Sequence, residues 1–501
     1  MSATAEVQGT DSVGNNLHPR RWVALGVIAI AQLMVVLDAT IVNIALPSAQ
    51  RALDITDADR QWVVTAYTLT FGGLLLLGGR VADYWGRKRT FIVGAIGFAA
   101  ASAIGGLANG GEMLFAARAL QGAFGALLAP ASLALLTVLF TETRERAKAF
   151  AVYGAIAGGG SAVGLLLGGV LTEYASWRWC LLVNIPVALL ALGLAIPLVP
   201  ESKASGDTSY DIPGAVIVTA GLASLVYGFT EAAKPGKGWD APVTLAFILG
   251  GLALIAIFFL IERKVKNPLL PLRILADRNR GGAYIASMLV GAGLLGAFLF
   301  LTLYVQNVLH YTPLKAGFAA LPVTIGVLIS ATLASSLIPR TGPRPLMIVG
   351  PVIAAGGMFL LRFVGLDTSF WLHLMPAQIL LGLGLGLTFV PLSSLALIGV
   401  PGHDAGAASA ALNATQQVGA SLGTALLNTI ATSAIAAYLV SHVPTSPQGA
   451  VRTGLLAQID GYSAAFTWAA ALILGAAVVT AVLVRAHKED LPVENAGAPV
   501  G

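Results

Sequence analysis

The sequence predicts an all-α membrane protein, and three observations carry this prediction. Of the 501 residues, 56% are hydrophobic and only 11% are charged, whereas a soluble domain carries about 25% charged residues. The mean hydropathy is +0.82. Apolar runs of about 20 residues recur along the chain, and each is long enough to cross the ~30 Å hydrocarbon core of a bilayer. A membrane β-barrel would instead show shorter segments of alternating polarity.

Fourteen apolar runs are predicted to be membrane-spanning helices. They cover residues 22–47, 60–79, 91–108, 112–140, 147–172, 177–198, 212–231, 241–261, 281–306, 314–338, 345–364, 370–399, 404–438 and 460–484. The first run follows Arg20 and Arg21 without a small-residue cleavage site, so we expect a retained helix and not a signal peptide. The run 404–438 exceeds one crossing, so we expect it to emerge from the membrane.

The distribution of positive charge predicts the orientation. An even number of spans places both termini on one side, which we expect to be the cytoplasmic side of a bacterial inner membrane. Most of the 29 Lys and Arg residues then fall in cytoplasmic segments, including Arg87, Lys88 and Arg89, as the positive-inside rule requires. Contact with anionic lipid explains the net charge of +5, so nucleic acid is not expected as a partner.

A weak internal repeat divides the chain into two halves. The stretch "GGRVADYWGRKRTFIVG" (78–94) aligns with "ASSLIPRTGPRPLMIVG" (334–350), which pairs Gly86 with Gly342. Repeated six-helix halves are typical of transporters that alternate access around a midplane site. The predicted division is a tail at 1–21, a half at 22–198, two extra helices at 212–261, a half at 281–484 and a tail at 485–501.

The loop between the second and third spans combines flexible and charged residues. Gly79 and Gly86 permit a tight turn, and Asp83 stands between Arg80 and Arg87. Two interpretations are open. The loop is either a solvated segment that only fixes topology, or a latch whose ion pairs hold the cytoplasmic side shut in one state.

Four stretches together resemble the fourteen-span drug:proton antiporter family of the major facilitator superfamily. They are the loop above, "LDATIVNIALP" (37–47), "RALQGAFGA" (118–126) and "WRWCLLVNIP" (177–186). The resemblance covers nearly the whole chain and implies a proton-driven exporter with a central cavity. It also implies that Asp38 couples to the proton and that Arg118 is its basic partner. The gate implied by the family comprises Gly79, Arg80, Asp83, Gly86 and Arg87.

Asp38 and Arg118 are the charges that we place well inside the membrane. A charge near a helix centre costs about 2.5–3.5 kcal/mol on insertion scales, so both residues need a reason to be there. Asp38 lies roughly 24 Å along the first helix from Trp22, at 1.5 Å per residue. Arg118 enters from the outer side to a similar depth. The two charges form either a structural ion pair or a site that binds and releases a proton.

The fifth span carries Gly160, Gly164 and Gly168 at every fourth position, followed by Gly169. Glycines on one face allow a second helix to approach closely. Generic helix packing is one interpretation, and the resemblance reads these glycines as the antiporter motif. Where a proline often follows the position of Gly164 in that motif, this chain has Leu165.

The thirteenth span carries a stripe of polar residues on one helical face. Its members are Asn413, Gln417, Ser421, Thr424 and Asn428. The stripe is expected either to line a wet cavity or to form hydrogen bonds to another helix. The full set predicted to line a substrate cavity is Tyr67, Gln121, Tyr304, Gln378, Asn413, Gln417 and Ser421.

The leading hypothesis is a proton-driven exporter of amphipathic, often cationic, drugs or antibiotics. A dedicated exporter of one endogenous metabolite, lipid, peptide or self-made antibiotic is the alternative. An enzyme would need a nucleophile, acid–base or metal constellation at membrane depth, whereas we place only one acid and one arginine there. A non-transporting sensor is a further, less favoured alternative to the exporter. No metal or organic cofactor is expected beyond the proton gradient, and the single cysteine, Cys180, excludes an intramolecular disulfide. The expected partners are substrate, protons and lipid, with the monomer as the functional unit.

Overall fold

The computed structural model describes residues 21–486, apart from 141, 204–210, 235, 266–267, 270–271, 399, 401–404 and 445. The first half contains α1 (Arg21–Ala52), α2 (Trp62–Trp85), α3 (Arg87–Gly106), α4 (Gly111–Leu139), α5 (Thr143–Tyr174) and α6 (Trp179–Leu198). Two helices follow, α7 (Ile212–Ala232) and α8 (Pro242–Glu262). The second half contains α9 (Arg278–Val308), α10 (Pro313–Thr341), α11 (Pro343–Phe363), α12 (Phe370–Ala396), α13 (Ala405–Ser441) and α14 (Pro447–Leu483).

Thirteen of these helices are long and apolar enough to cross a membrane in the described part of the chain. The 32-residue α5 packs along α1 and α10 and completes the fourteen. The predicted all-α membrane fold is therefore confirmed. Two boundaries differ most: α2 continues to Trp85, beyond the predicted end at 79, and α14 begins at Pro447 and not near 460. Ser446 caps that start by accepting a hydrogen bond from the Gly449 amide at 3.1 Å, and proline suits the first helical position.

The two halves meet near one end of the molecule. We call the side where α1 begins and α14 ends the terminal face, and the opposite side the distal face. Towards the distal face, the Gln306 amide donates to the carbonyl oxygen of Ile44 at 3.0 Å. The Leu314 amide likewise donates to the Glu173 carboxylate at 3.0 Å. These bonds, together with an α2–α13 contact, hold the distal ends of the halves together.

Glycines at matching positions support the internal repeat. Gly86, between α2 and α3, has φ +131°, and its partner Gly342, between α10 and α11, has φ +77°. Both angles lie where glycine is favoured because it has no Cβ. The alignment that pairs these two loops also pairs Tyr67 with Val323. The carbonyl oxygen of Tyr67 leaves no room for a Cβ at Gly122, just as that of Val323 leaves none at Gly382.

Helix α7 covers the seam between the halves. The Gln61 amide donates to the Thr230 hydroxyl at 2.7 Å, and the Thr429 hydroxyl donates to the Phe229 carbonyl at 2.7 Å. Helix α7 therefore contacts the first half through α2 and the second half through α13. Most of α8 is exposed, as expected of an apolar helix surrounded by lipid.

We predict that Gly86→Ala lowers the thermal stability of the purified protein. A left-handed backbone costs an L-residue roughly 1–2 kcal/mol, and the new Cβ would lie 2.8 Å from the Glu201 carboxylate. Gly193→Ala in α6 is the matched control, because no atom lies within 4 Å of its would-be Cβ. Unfolding curves recorded in detergent would contradict the prediction if the two variants melted together.

Candidate functional site

The Asp38 carboxylate is fully buried at the centre of the first half. Its Oδ2 accepts a hydrogen bond from the Arg118 guanidinium at 2.6 Å, and the two side chains are 0% and 2% exposed. The structure thus brings together the two charges that the sequence places at similar depth. A buried carboxylate is tolerated only where it is paired and hydrogen-bonded.

Two amides saturate the second oxygen of this carboxylate. Oδ1 accepts from Gln121 Nε2 at 2.9 Å and from Asn184 Nδ2 at 2.9 Å. Both amide nitrogens also reach the Ser102 hydroxyl, at 2.7 and 3.2 Å. Helices α1, α3, α4 and α6 therefore converge on one anion, and each close partner of that anion donates an N–H.

Arg118 connects this network to α2. Its Nε donates to the Val63 carbonyl at 2.9 Å, and its guanidinium carbon lies 4.5 Å from the centroid of the Tyr67 ring. A second donor from the same guanidinium reaches Gln121 Oε1 at 2.8 Å. Adding a proton to Asp38 would remove the negative charge that holds Arg118. Because Arg118 also binds the α2 backbone, the protonation state of the carboxylate would affect how Arg118 is held against α2.

Sequence reasoning missed two members of the network and assigned two others to the substrate cavity. The sequence analysis predicts no role for Asn184 or Ser102, although Asn184 lies within the family-like stretch "WRWCLLVNIP" (177–186). Gln121 and Tyr67 were predicted to line the substrate cavity. The structure buries both beside Asp38, with 0% and 2% of their surfaces exposed, so in this conformation each packs within the charge network.

The polar stripe of α13 lies mostly against α2. The hydroxyls of Thr68 and Ser421 are 2.7 Å apart, and Gln417 packs against Gly72. Asn428 accepts a hydrogen bond from Arg60 Nε at 3.2 Å. Ser421 and Asn428 therefore follow the hydrogen-bonding interpretation of the stripe, whereas Gln417 meets α2 by close packing. Its first member is different, because Asn413 is exposed and lines a cavity.

The stretch predicted as a gate loop is mostly helical: Gly79, Arg80 and Asp83 lie in α2, Arg87 begins α3, and Gly86 alone connects the two helices. Local contacts hold this junction at the terminal face. Asp83 accepts from Arg87 at 2.9 Å, whereas Arg80 donates to the Pro268 carbonyl at 3.0 Å and does not reach Asp83. The carboxylate of Glu201, after α6, caps α3 by accepting from the backbone amides of Lys88 and Arg89. A Cβ at Gly79 would lie 3.8 Å from Pro130 of α4, an ordinary van der Waals distance.

The antiporter-motif glycines bring α5 close to two other helices. A Cβ at Gly160 or Gly168 would lie 3.1 or 2.9 Å from side chains of α1, and one at Gly164 would overlap the Thr40 hydroxyl. Gly169 faces α10 instead, where a Cβ would lie 2.6 Å from Leu314 Cα. Three of the four glycines therefore allow α5 to pack closely on α1, the helix that carries Asp38.

The remaining two predicted cavity residues are buried in the second half. Tyr304 donates to the Gly365 carbonyl at 2.6 Å. Gln378 is fully buried, and neither atom of its amide has a hydrogen-bond partner among the described residues. Neither residue lines the cavity that Asn413 borders.

Comparison with known proteins identifies the family. The model of the Major Facilitator Superfamily matches residues 28–424. The chain belongs to this superfamily. It is a multi-pass membrane transporter and not an enzyme, which confirms the resemblance seen in the sequence. Puromycin resistance protein pur8 of Streptomyces alboniger is 50% identical over 97% of this chain and 94% of its own length. Cephamycin export protein CmcT of Amycolatopsis lactamdurans is 37% identical over 92% of each chain.

Solved structures support the same fold for this superfamily member. An inward-facing bacterial homologue of the human lysosomal transporter Spinster superposes with a TM-score of 0.64 at 14% identity, covering 96% of this chain and 99% of that one. The tetrameric PepTSo2 structure superposes with a TM-score of 0.59 at 17% identity, with coverages of 92% and 97%. Because both identities are low, these matches establish the fold alone.

We predict that Gly164→Ala destabilises the transporter by about 1–3 kcal/mol, the usual cost of an extra methyl in a tight contact. Thr40→Ala removes the hydroxyl that the new methyl would overlap, so it should restore part of the loss in the double variant. Gly159→Ala on the same helix is the control, since its would-be Cβ meets no atom within 4 Å. The test is thermal unfolding of Gly164→Ala, Thr40→Ala, their double variant and Gly159→Ala. Equal melting of Gly164→Ala and Gly159→Ala would refute the prediction.

Proposed function

We propose that this transporter exports amphipathic, antibiotic-like molecules from a bacterial cell in exchange for protons. The observation that carries the proposal is the double attachment of Arg118. The same side chain holds the buried Asp38 carboxylate and the α2 backbone, and α2 forms the seam with the second half. A proton at Asp38 would thus act on the contact between the halves.

The orientation and the energy source belong to this proposal. Both termini lie in the cytoplasm, so the distal face is the outer side. The bonds between the halves close this face in the present conformation. The chain works as a monomer in the plasma membrane and uses the proton gradient without a cofactor. Each close partner of Asp38 is an N–H donor, an arrangement that suits an ionised carboxylate, and we assign it to the stage after proton release to the cytoplasm.

The seam is suited to repeated opening. The Thr68 hydroxyl lies 3.3 Å from the Val64 carbonyl of its own helix, and the Ser421 hydroxyl lies 3.0 Å from the Gln417 carbonyl. When α2 and α13 separate, each hydroxyl keeps an acceptor within its own helix, so opening leaves neither of these two hydroxyls unsatisfied. An unpaired buried polar group would otherwise cost about 1–3 kcal/mol.

The names of the relatives support antibiotic-like substrates. A broad exporter and a dedicated exporter of one self-made compound would use the same proton site. The relative named as a cephamycin export protein favours keeping the dedicated exporter as the alternative. A panel of antibiotics and dyes tested against cells that express the protein separates them, because broad protection supports the first and protection against one compound the second.

We predict that Asp38→Asn abolishes uphill transport. The amide keeps the size of the side chain but cannot titrate, so no proton is exchanged per cycle, whereas downhill exchange should persist because the seam residues are intact. The measurement is drug uptake into inside-out vesicles under an imposed pH gradient, normalised to folded protein. Asp460→Asn, at an exposed acid on α14, serves as the control. If Asp38→Asn retained wild-type uphill transport, the prediction would be wrong and Asp38 would be only a structural partner of Arg118.

We predict that Asn428→Leu opens the distal face more often. The change removes the acceptor of Arg60 and the donor to the Asp57 carbonyl at 2.9 Å, both of which cross the seam. In Asn428→Leu, a Gln306→Cys substitution should then react several-fold faster with an impermeant maleimide added outside. The labelling reports on this position because the sole native cysteine is buried. Ser441→Ala, at the exposed end of α13, is the control. Unchanged labelling would mean that Asn428 does not hold the distal face.

A further inference from the structure

A cavity of about 450 Å³ lies inside the second half, in the part nearest the terminal face. Helix α9 contributes Ser287, α12 contributes Phe389 and Ser393, and α13 contributes Ser409, Asn413 and Gln416. Cavities of roughly 300–1,000 Å³ are the size that binds small molecules. The cavity is distinct from the Asp38 network, which is formed by α1, α3, α4 and α6.

The described side chains that line this cavity are neutral. Among the described residues that line it, none is charged, and the polar ones are hydroxyls and two carboxamides. Asn413 donates to the Ser409 carbonyl at 3.0 Å, which leaves its own carbonyl oxygen free to accept. The Gln416 amide and the Ser409 hydroxyl have no hydrogen-bond partner within the described part of the chain. Donors and acceptors are thus available beside one aromatic side chain, Phe389.

The Asp38 carboxylate is not available to a molecule in this cavity. It is fully buried in the other half, and its two oxygens already accept three N–H donors. A cation that entered the cavity would leave water without meeting a counter-charge. Burial of an unpaired charge is strongly unfavourable, whereas an uncharged molecule with amide or hydroxyl groups would recover its hydrogen bonds.

We infer that this cavity is the substrate subsite of the transporter and that it takes uncharged amphipathic molecules bearing amide or hydroxyl groups. The inference rests on the proposed export function and replaces the expectation that substrates are often cationic. Substrate and proton then occupy separate sites in different halves. They communicate through the seam, because Gln416 of the subsite adjoins Gln417, which packs against Gly72 of α2.

The test is equilibrium binding to the purified full-length protein. The probes are three uncharged amide-bearing antibiotics, chloramphenicol, florfenicol and linezolid, and the permanent cation tetraphenylphosphonium. We expect at least one uncharged probe to bind with the same affinity in wild type and in Asp38→Asn, and more tightly than the cation. Asn413→Leu should weaken that binding about tenfold, the equivalent of one lost hydrogen bond of ~1.4 kcal/mol.

Thr332→Val is the matched control, because its exposed hydroxyl on α10 bonds only to its own helix and lies outside the cavity. Three results would overturn the inference: saturable binding of none of the uncharged probes, equal affinity in Asn413→Leu and wild type, or tighter binding of the cation that is lost in Asp38→Asn. The last result would leave proton-coupled export standing while moving the substrate to the Asp38 site.

A second measurement needs no substrate. Asn413→Cys can be labelled selectively because the native Cys180 is buried. Cationic and uncharged methanethiosulfonate reagents should react with it in the same ratio as with Thr332→Cys, since the cavity is neutral. A relative acceleration of the cationic reagent at Asn413→Cys would show an anionic cavity and contradict the inference. Failure of uphill transport by the wild type would refute the export proposal without altering either binding or labelling.

Discussion

The ion pair between Asp38 and Arg118 is the constraint around which the first half is built. Two charges buried at membrane depth are strongly unfavourable unless every lone pair and donor is matched. The matching partners come from different helices, so those helices must approach closely. Gly122 allows this for α4, where a side chain would overlap the Tyr67 carbonyl. Arg118, one turn earlier, thereby reaches the Val63 carbonyl, one turn along α2.

Small residues around α1 serve the same constraint from the other side. Gly164 and Gly168 let α5 pack on Thr40 and Ile41, directly beyond Asp38. The residue after Gly164 is Leu165, and α5 nevertheless runs as one helix from Thr143 to Tyr174. Close packing of α5 on α1 therefore requires the glycines and does not require a proline at that position.

The sequence was sufficient for the helices and for the central charge pair, because apolar length and unpaired charge are strong signals. It could not identify Asn184 and Ser102, since a single neutral polar residue in an apolar run has no periodic signature. The α13 stripe shows a second limit. Periodicity indicated that one face avoids lipid, but it could not tell that Ser421 meets a hydroxyl of α2 while Asn413, two turns away, borders open space.

The repeat explains why the two halves do different work. The packing that pairs Gly122 with Gly382 also pairs Arg118 with Gln378, so the second half has an amide where the first has a guanidinium. In the first half the guanidinium meets a carboxylate, whereas the Gln378 amide is buried with no hydrogen-bond partner among the described residues. The second half therefore keeps the helix geometry of the charge site without its charges. The described residues of the second half include no buried charge, so this half can present a neutral cavity. In the first half, the polar groups around the ion pair are committed to one another.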